Sequence, residues 1–256
     1  MLGIKRIVKS VLPAAVIGRV SNHYREVPLA DLERLNSSLS DSWKSSGLPT
    51  KQRNIVDKNL EAYRSGRNNS ELDALVDILK RNVQELQGKS VLEIGCSSGY
   101  YSEVFKIKGI NVSYTGCDYS DSFIEMAKHY YPDRQFDVEN AVALSYESGS
   151  YDVVISGACL LHIYEFEKAI AETARVSNRY AVFHRTPVLH LTDTSAYTKK
   201  AYGVPCFEIH FNEQELVRLF GKYGLDIIDV NSHAISWDNS KQDALVMKTY
   251  MCEKIR

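Results

Sequence analysis

The 256-residue chain lacks the marks of several specialised protein classes. Its five cysteines, Cys96, Cys117, Cys159, Cys206 and Cys252, are odd in number, scattered, and form no C-x-x-C pair. That argues against a disulfide framework and a structural zinc site, and fits a reducing, cytoplasmic compartment. No uncharged apolar run reaches the roughly 18–20 residues that a spanning helix needs. Charge of either sign is not in excess, with 31 Lys+Arg against 32 Asp+Glu. No global field for nucleic acid follows, and no nucleic-acid partner is expected. There is no internal repeat and no long low-complexity tract. With 44% hydrophobic residues, the chain can bury one good core with an appendage.

Two regions are legible. Residues 1–68 are polar and irregular, rich in Ser, Asn, Lys and Arg, and read as an N-terminal helical or irregular extension. The first twenty, MLGIKRIVKSVLPAAVIGRV, set Lys5, Arg6, Lys9 and Arg19 among aliphatics. They read as a helix lying over the domain, with a weak membrane-surface contact as the alternative. From residue 69 to 256, helical and strand patterns alternate.

Leu72, Leu75, Val76, Leu79, Val83 and Leu86 recur at helical spacing after Ser70, which can cap. Short apolar or β-branched runs at 90–94, 111–118, 136–138, 151–156 and 180–184 predict strands. Helices are expected between them, near 102–108, 121–131 and 166–176. Residues 185–211 read as a long loop, hence a lid or substrate segment. Asn212 then caps a helix that Gly224 ends, and strands near 225–231 and 244–253 close the chain as an antiparallel hairpin. This order predicts an α/β fold with a doubly wound, mostly parallel sheet whose ligand sits beyond the carboxyl ends of the strands.

At the first strand end stands VLEIGCSSGY, residues 91–100. Gly95 and Gly99 flank a tight turn. A pyrophosphate fingerprint needs a small residue where Tyr100 stands, and no Gly-Lys-Ser/Thr follows, so a dinucleotide loop and a P-loop are both disfavoured. Glu93 would repel a pyrophosphate but suits a ligand carrying positive charge. Asp118, at the second strand end, can accept from ribose hydroxyls. Asp137, at the third, can accept from an exocyclic amine. A cationic amino-acid end, a ribose and an adenine describe S-adenosylmethionine.

Glu93-Ile-Gly-Cys-Ser-Ser-Gly99, then Asp118, Asp137-Val138 and Tyr151-Asp-Val-Val-Ile-Ser-Gly157, resembles the class I S-adenosylmethionine-dependent methyltransferases. The resemblance covers about 70–253. The pattern at Leu160-Leu-His-Ile163 is most similar to the small-molecule branch. The chain departs from the family at Ser97, where glycine is usual. The resemblance implies a Rossmann-like seven-stranded sheet with a reversed last strand. It implies cofactor contacts from Glu93, Gly95, Cys96, Ser97 and Gly99, from Asp118 and Tyr119, from Asp137 and Val138, and from Ser156 and Gly157. Residues 43–60 also resemble an N-terminal extension of some bacterial methyltransferases of glycan- or natural-product-related function.

Methyl transfer to a hydroxyl wants a base. His162, after the fourth strand, and His184, ending the fifth, are the candidates. Arg185, Tyr197 and Tyr202 are candidate substrate contacts. Lys199 and Lys200 could meet an acidic group but read as solvated, and Arg185 is the better candidate for an anion contact. No carboxylate cluster suited to a divalent metal is evident, and no metal is expected. The expected activity is methyl transfer to a small molecule or glycan, at a hydroxyl oxygen. A non-catalytic binding or scaffold protein of the same fold is the alternative. Oligomeric state is not legible.

Overall fold

The computed structural model describes residues 17–19, 24–238 and 241–255. The membrane reading of residues 1–20 lies almost wholly outside them. Among the described residues no helix is long and apolar enough to cross a membrane.

In chain order the strands and α-helices are β1 (Ile17–Arg19), β2 (Arg25–Val27), α1 (Leu32–Leu39), α2 (Leu48–Arg64), α3 (Ser70–Asn82), β3 (Ser90–Ile94), α4 (Tyr101–Ile107), β4 (Ser113–Asp118), α5 (Asp121–Tyr130) and β5 (Gln135–Val138). There follow β6 (Tyr151–Gly157), α6 (Phe166–Val176), β7 (Ser177–Leu189), β8 (Ser195–Ala201), β9 (Val204–Asn212), α7 (Glu213–Lys222), β10 (Leu225–Asp238) and β11 (Asp243–Lys254).

The central sheet runs β1-β10-β11-β7-β6-β3-β4-β5. Within it lies the expected seven-stranded core. β3 to β7 pair in parallel, and β11 runs antiparallel to both β7 and β10. The chain winds outward from β3 to β5, then returns to lay β6 on the other side of β3. That reversal opens a crevice at the carboxyl ends of β3 and β6. Central strands buried on both faces explain the unbroken apolar runs: Val153, Val154 and Ile155 are all fully buried.

Each face carries its own core. Leu75, Ile78 and Leu79 of α3 and Val104 and Phe105 of α4 cover one. Ile170 and Ala174 of α6 with Leu216 and Phe220 of α7 cover the other. Asn69, not Ser70, caps α3, its side chain accepting from the amides of Glu71 and Leu72 at 3.1 Å each. Asn212 caps α7 as expected, accepting from the Glu215 amide at 3.1 Å.

The expected loop at 185–211 is largely sheet. β7 runs on to Leu189, and β8 and β9 form a hairpin closed by the pair Ala201–Val204. Its two-residue turn places Tyr202 at φ 53° and Gly203 at φ 89°, the positive-φ pair that matches strand twist. Tyrosine is an unusual first residue there, and it masked the hairpin. β9 joins β7 in parallel at Val188–Leu189, which swings the hairpin over the crevice.

The extension is tied down too. β1 adds to the sheet edge beside β10, and β2 pairs with β8. In α2, Arg53 is buried beneath Tyr130, its guanidinium 3.7 Å from the ring centroid, and donates to Tyr131 Oη at 3.1 Å. These anchors hold residues 24–64 against the sheet domain.

Candidate active site

A cavity of about 920 Å³ lies at the carboxyl ends of β3, β4, β6 and β7. It is at the upper end of single-ligand pockets, with room for two ligands side by side. The hairpin β8–β9 and the segment from Tyr24 to Gln52 form its other walls.

The loop after β3 forms its floor. Gly95 has φ 73°, and a Cβ there would sit 2.4 Å from Cys159 Cβ. Gly99 has φ 72°, and a Cβ would meet Phe136 Cε1 at 2.5 Å. Both glycines are therefore required by conformation and by space. Ser97 adopts φ 47° without being glycine, and its amide donates to Asp118 Oδ2 at 3.0 Å. Of the six described non-glycine residues with positive φ, four line the cavity: Ser97, Ala158, Arg185 and Tyr202. Backbone strain thus gathers where a ligand would sit.

Two buried carboxylates face this space. Glu93 is 1% exposed and takes a short hydrogen bond from the Tyr114 hydroxyl. Burial pushes its carboxyl well above the usual range, so a cation alongside would restore its charge. Asp118 accepts from the amides of Ser97 and Ser120, each at 3.0 Å. Burial still raises it to about 6, against the lowering effect of those amides. The Tyr119 amide acts on it as well, which leaves about one of some four lone-pair sites for a ligand's hydroxyl.

Glu93, Gly95, Ser97, Asp118, Tyr119, Val138 and Gly157 all line the cavity, whereas Cys96, Gly99, Asp137 and Ser156 do not. Cys96, Gly99 and Ser156 shape the turn from behind. Asp137 needs correction as a direct contact. The register pairs Asp118 with Val138 and puts Asp137 one residue short of the rim, where Tyr146 and Gln135 hold its carboxylate. The loop from Glu139 to Val142 lines the cavity in its place.

The two histidines separate. His162, in a short 3-10 turn after β6, lines the cavity and packs 5.0 Å from Trp43. Its Nδ1 lies 2.7 Å from the Phe207 carbonyl oxygen. That oxygen can only accept, so Nδ1 carries the proton and the neutral ring keeps its lone pair on Nε2. Burial holds the imidazole below its ordinary value, against the raising influence of Glu208 and Phe207. His184 is 1% exposed, does not line the cavity, and pairs through Nδ1 with Thr249 Oγ1 at 2.7 Å. It lies within the sheet interior, packed on Tyr101 and His233, and cannot reach a substrate there.

Among the substrate candidates, Arg185 and Tyr202 line the cavity and Tyr197 does not. Tyr197 is buried against Tyr24 and His210. Lys199 is not solvated: it pairs closely with Glu208 and donates to Tyr24 Oη at 3.0 Å. Burial alone would raise the Glu208 carboxyl, but His210 and Lys199 hold it down at about 2. Sequence reasoning missed Glu208, Trp43 and Gln52, which reach the cavity only through the folding-over of β9 and the extension. The described residues hold no group of three or more His, Cys, Asp or Glu suited to a metal.

Residues 92–183 match a family model described as a methyltransferase domain, the stretch from the β3 strand to the end of the parallel sheet. That stretch carries a methyltransferase domain. The demethylmenaquinone methyltransferase of Renibacterium salmoninarum is 30% identical over 95 residues, 37% of this chain and 39% of that protein. The ubiquinone biosynthesis O-methyltransferase of Coxiella burnetii is 29% identical over 93 residues, 35% of this chain and 39% of that one. The matches thus span well under half the length of these relatives. Two solved structures share the fold. An S-adenosylmethionine-dependent methyltransferase from Methanosarcina mazei superposes with TM-score 0.56 at 20% identity, over 70% of this chain and 97% of its own. The 1,6-didemethyltoxoflavin-N1-methyltransferase of Burkholderia thailandensis does so with TM-score 0.59 at 14% identity, over 93% and 99%. In this chain Glu93 and Asp118 stand near the carboxyl ends of the adjacent strands β3 and β4.

Proposed function

We propose that this protein transfers a methyl group from S-adenosylmethionine to a hydroxyl oxygen of a small-molecule acceptor, with His162 as general base. The observation that carries the reading is the His162–Phe207 hydrogen bond at 2.7 Å, which leaves Nε2 unprotonated on a ring that lines the cavity. Glu93 would hold the ammonium of the cofactor's amino-acid end, and Asp118 a ribose hydroxyl. Val138 and the Glu139–Val142 loop would flank its adenine. When bound, S-adenosylmethionine supplies an electrophilic methyl on a sulfonium.

The chain's own work is to position and to move one proton. His162 Nε2 takes the hydroxyl proton as the oxygen attacks, and Phe207 fixes the ring's tautomer throughout. Trp43, Leu39 and Leu161 wall the cavity with apolar surface and keep water from competing. Residues 1–68 are read as the cover of the site and 69–256 as the methyltransferase domain. Tyr24, Asn36, Leu39, Trp43, Lys44 and Gln52 supply lining, which supports that division. The relatives named for demethylmenaquinone and ubiquinone biosynthesis and the enzyme named for 1,6-didemethyltoxoflavin support a non-polymeric acceptor.

Calorimetric titration with S-adenosylmethionine and with NAD tests the cofactor. Formation of S-adenosylhomocysteine over a panel of hydroxylated small molecules tests the reaction. Cofactor binding without turnover on any of them would favour the scaffold alternative.

A further inference from the structure

Four cationic side chains line the cavity, Lys44, Arg185, Lys199 and Lys200; Arg185 is the one held in a strained backbone conformation. Arg185 follows His184 at the end of the parallel run of β7, where His184 is level with Gly157 of β6. A regular strand would alternate its side chains between the two faces. Arg185 instead adopts φ 57°, a conformation costly for a long side chain, and lines the cavity. Its neighbour Ala158, at φ 57°, donates its amide to the His184 carbonyl at 3.0 Å. The two strained residues lie side by side at the rim.

The guanidinium is under-used. Arg185 Nε is buried and has no hydrogen-bond partner. Its ion pair is with Glu71 at 3.3 Å, a carboxylate whose side chain is 43% exposed. Tyr100 and Tyr202, which also line the cavity, flank it, and burial pushes the Tyr100 phenol up to about 12. That phenol therefore stays protonated and can donate. A fork of N–H groups beside a phenol that can donate suits a planar or tetrahedral anion. The other cavity cation in a comparable setting, Lys199, is already neutralised by Glu208.

We infer that Arg185 binds an anionic group of the acceptor, a carboxylate or a phosphate, and so restricts the substrate to acidic small molecules. This rests on the methyltransferase reading. The strand of Arg185 is not the one that carries Glu93, although both side chains act on Tyr100 and Tyr101. β7 stands two strands from β3, which carries Glu93, a gap of about 10 Å. It stands next to β6, whose following turn carries His162. The acceptor anion at Arg185 and the acceptor hydroxyl at His162 would then orient one molecule from two points.

The test uses the full-length protein saturated with S-adenosylhomocysteine, titrated by calorimetry with benzoate, with inorganic phosphate, and with neutral benzamide. One of the two anions is expected to bind at least tenfold more tightly than benzamide. Arg185→Gln should weaken that anion at least tenfold while changing S-adenosylhomocysteine affinity less than twofold. Glu71→Gln, at an exposed position that frees Arg185 of its carboxylate, should tighten the anion severalfold, and this arm stands even if the Arg185 variant does not fold. Equal binding of anions and benzamide, or an anion affinity indifferent to both substitutions, would overturn the inference. So would a loss of S-adenosylhomocysteine affinity matching the loss of anion, since Arg185 would then serve the cofactor's own carboxylate. Failure of the unaltered protein to bind S-adenosylhomocysteine would instead overturn the methyltransferase reading, and the inference with it.

Discussion

Replacing Asp118 with asparagine should separate binding from stability. Burial raises the carboxyl from 3.8 to about 6 in the folded protein. A raised acid binds more protons when folded than when unfolded between those two values. Stability therefore falls as pH rises through that window, and the penalty is complete above pH 6. At about 1.4 kcal/mol per unit, keeping Asp118 ionised costs the fold about 3 kcal/mol at neutral pH. Asparagine removes that penalty. Its amide oxygen can accept from only one of the Ser97 and Ser120 amides, and its NH2 faces the other, at a pH-independent cost of about 1–3 kcal/mol. Absolute stability should thus change little at pH 7.

The difference between the two proteins should nonetheless shift toward asparagine by about 2 kcal/mol from pH 4.5 to pH 7.5. Urea denaturation of both proteins at those two pH values measures the shift. S-adenosylmethionine binding, by calorimetry at pH 7.5, should weaken by about 10- to 100-fold, through loss of a charge-assisted bond to the ribose. A stability difference independent of pH, or one moving toward aspartate as pH rises, would refute the burial argument. Unchanged affinity would remove Asp118 from the ribose site.

Four further outcomes are expected. His162→Gln should lower turnover by about 10²- to 10⁴-fold with cofactor affinity nearly intact. In the unaltered enzyme the acid limb of the rate profile should lie below pH 6.5, because burial lowers the imidazole; a limb above 6.5 would contradict this assignment. Gly99→Ala should destabilise by about 3 kcal/mol, combining left-handed strain with overpacking against Phe136, as read from a denaturant midpoint. Ser97→Gly should alter S-adenosylmethionine affinity by less than about tenfold, because serine already holds the left-handed geometry at φ 47°; a larger gain would show the loop to be compromised.

Local pattern fixed much of the frame. Apolar runs of strand length, helical spacing at Leu72–Leu79 and the glycines at 95 and 99 placed the first strand, its turn and the following helix within a residue or two. Glu93 and Asp118 could be put at the cavity because each ends a strand, and strand ends are set by neighbouring residues. The antiparallel closing pair was legible for the same reason, though β10 and β11 run longer than their apolar runs suggest. Asp137 was misplaced because inter-strand register, not its own strand, decides which residue meets the rim. His184 turned inward while Arg185, already a candidate contact, lines the cavity through a positive φ that no composition signals.

The sequence by itself determined the class of sheet, the succession of its elements along the chain and the two carboxylates near adjacent strand ends. These follow from short-range periodicity and turn chemistry, which act over a few residues. The tertiary structure alone decided which histidine keeps a free lone pair in the cavity, which of the cavity's cations sits in strained backbone, and how the extension and the β8–β9 hairpin close over the site. Each depends on contacts between segments far apart in the chain: Phe207 with His162, Glu71 with Arg185, and the extension with the β8–β9 hairpin. Packing over such separations is a property of the folded chain, and no local pattern carries it.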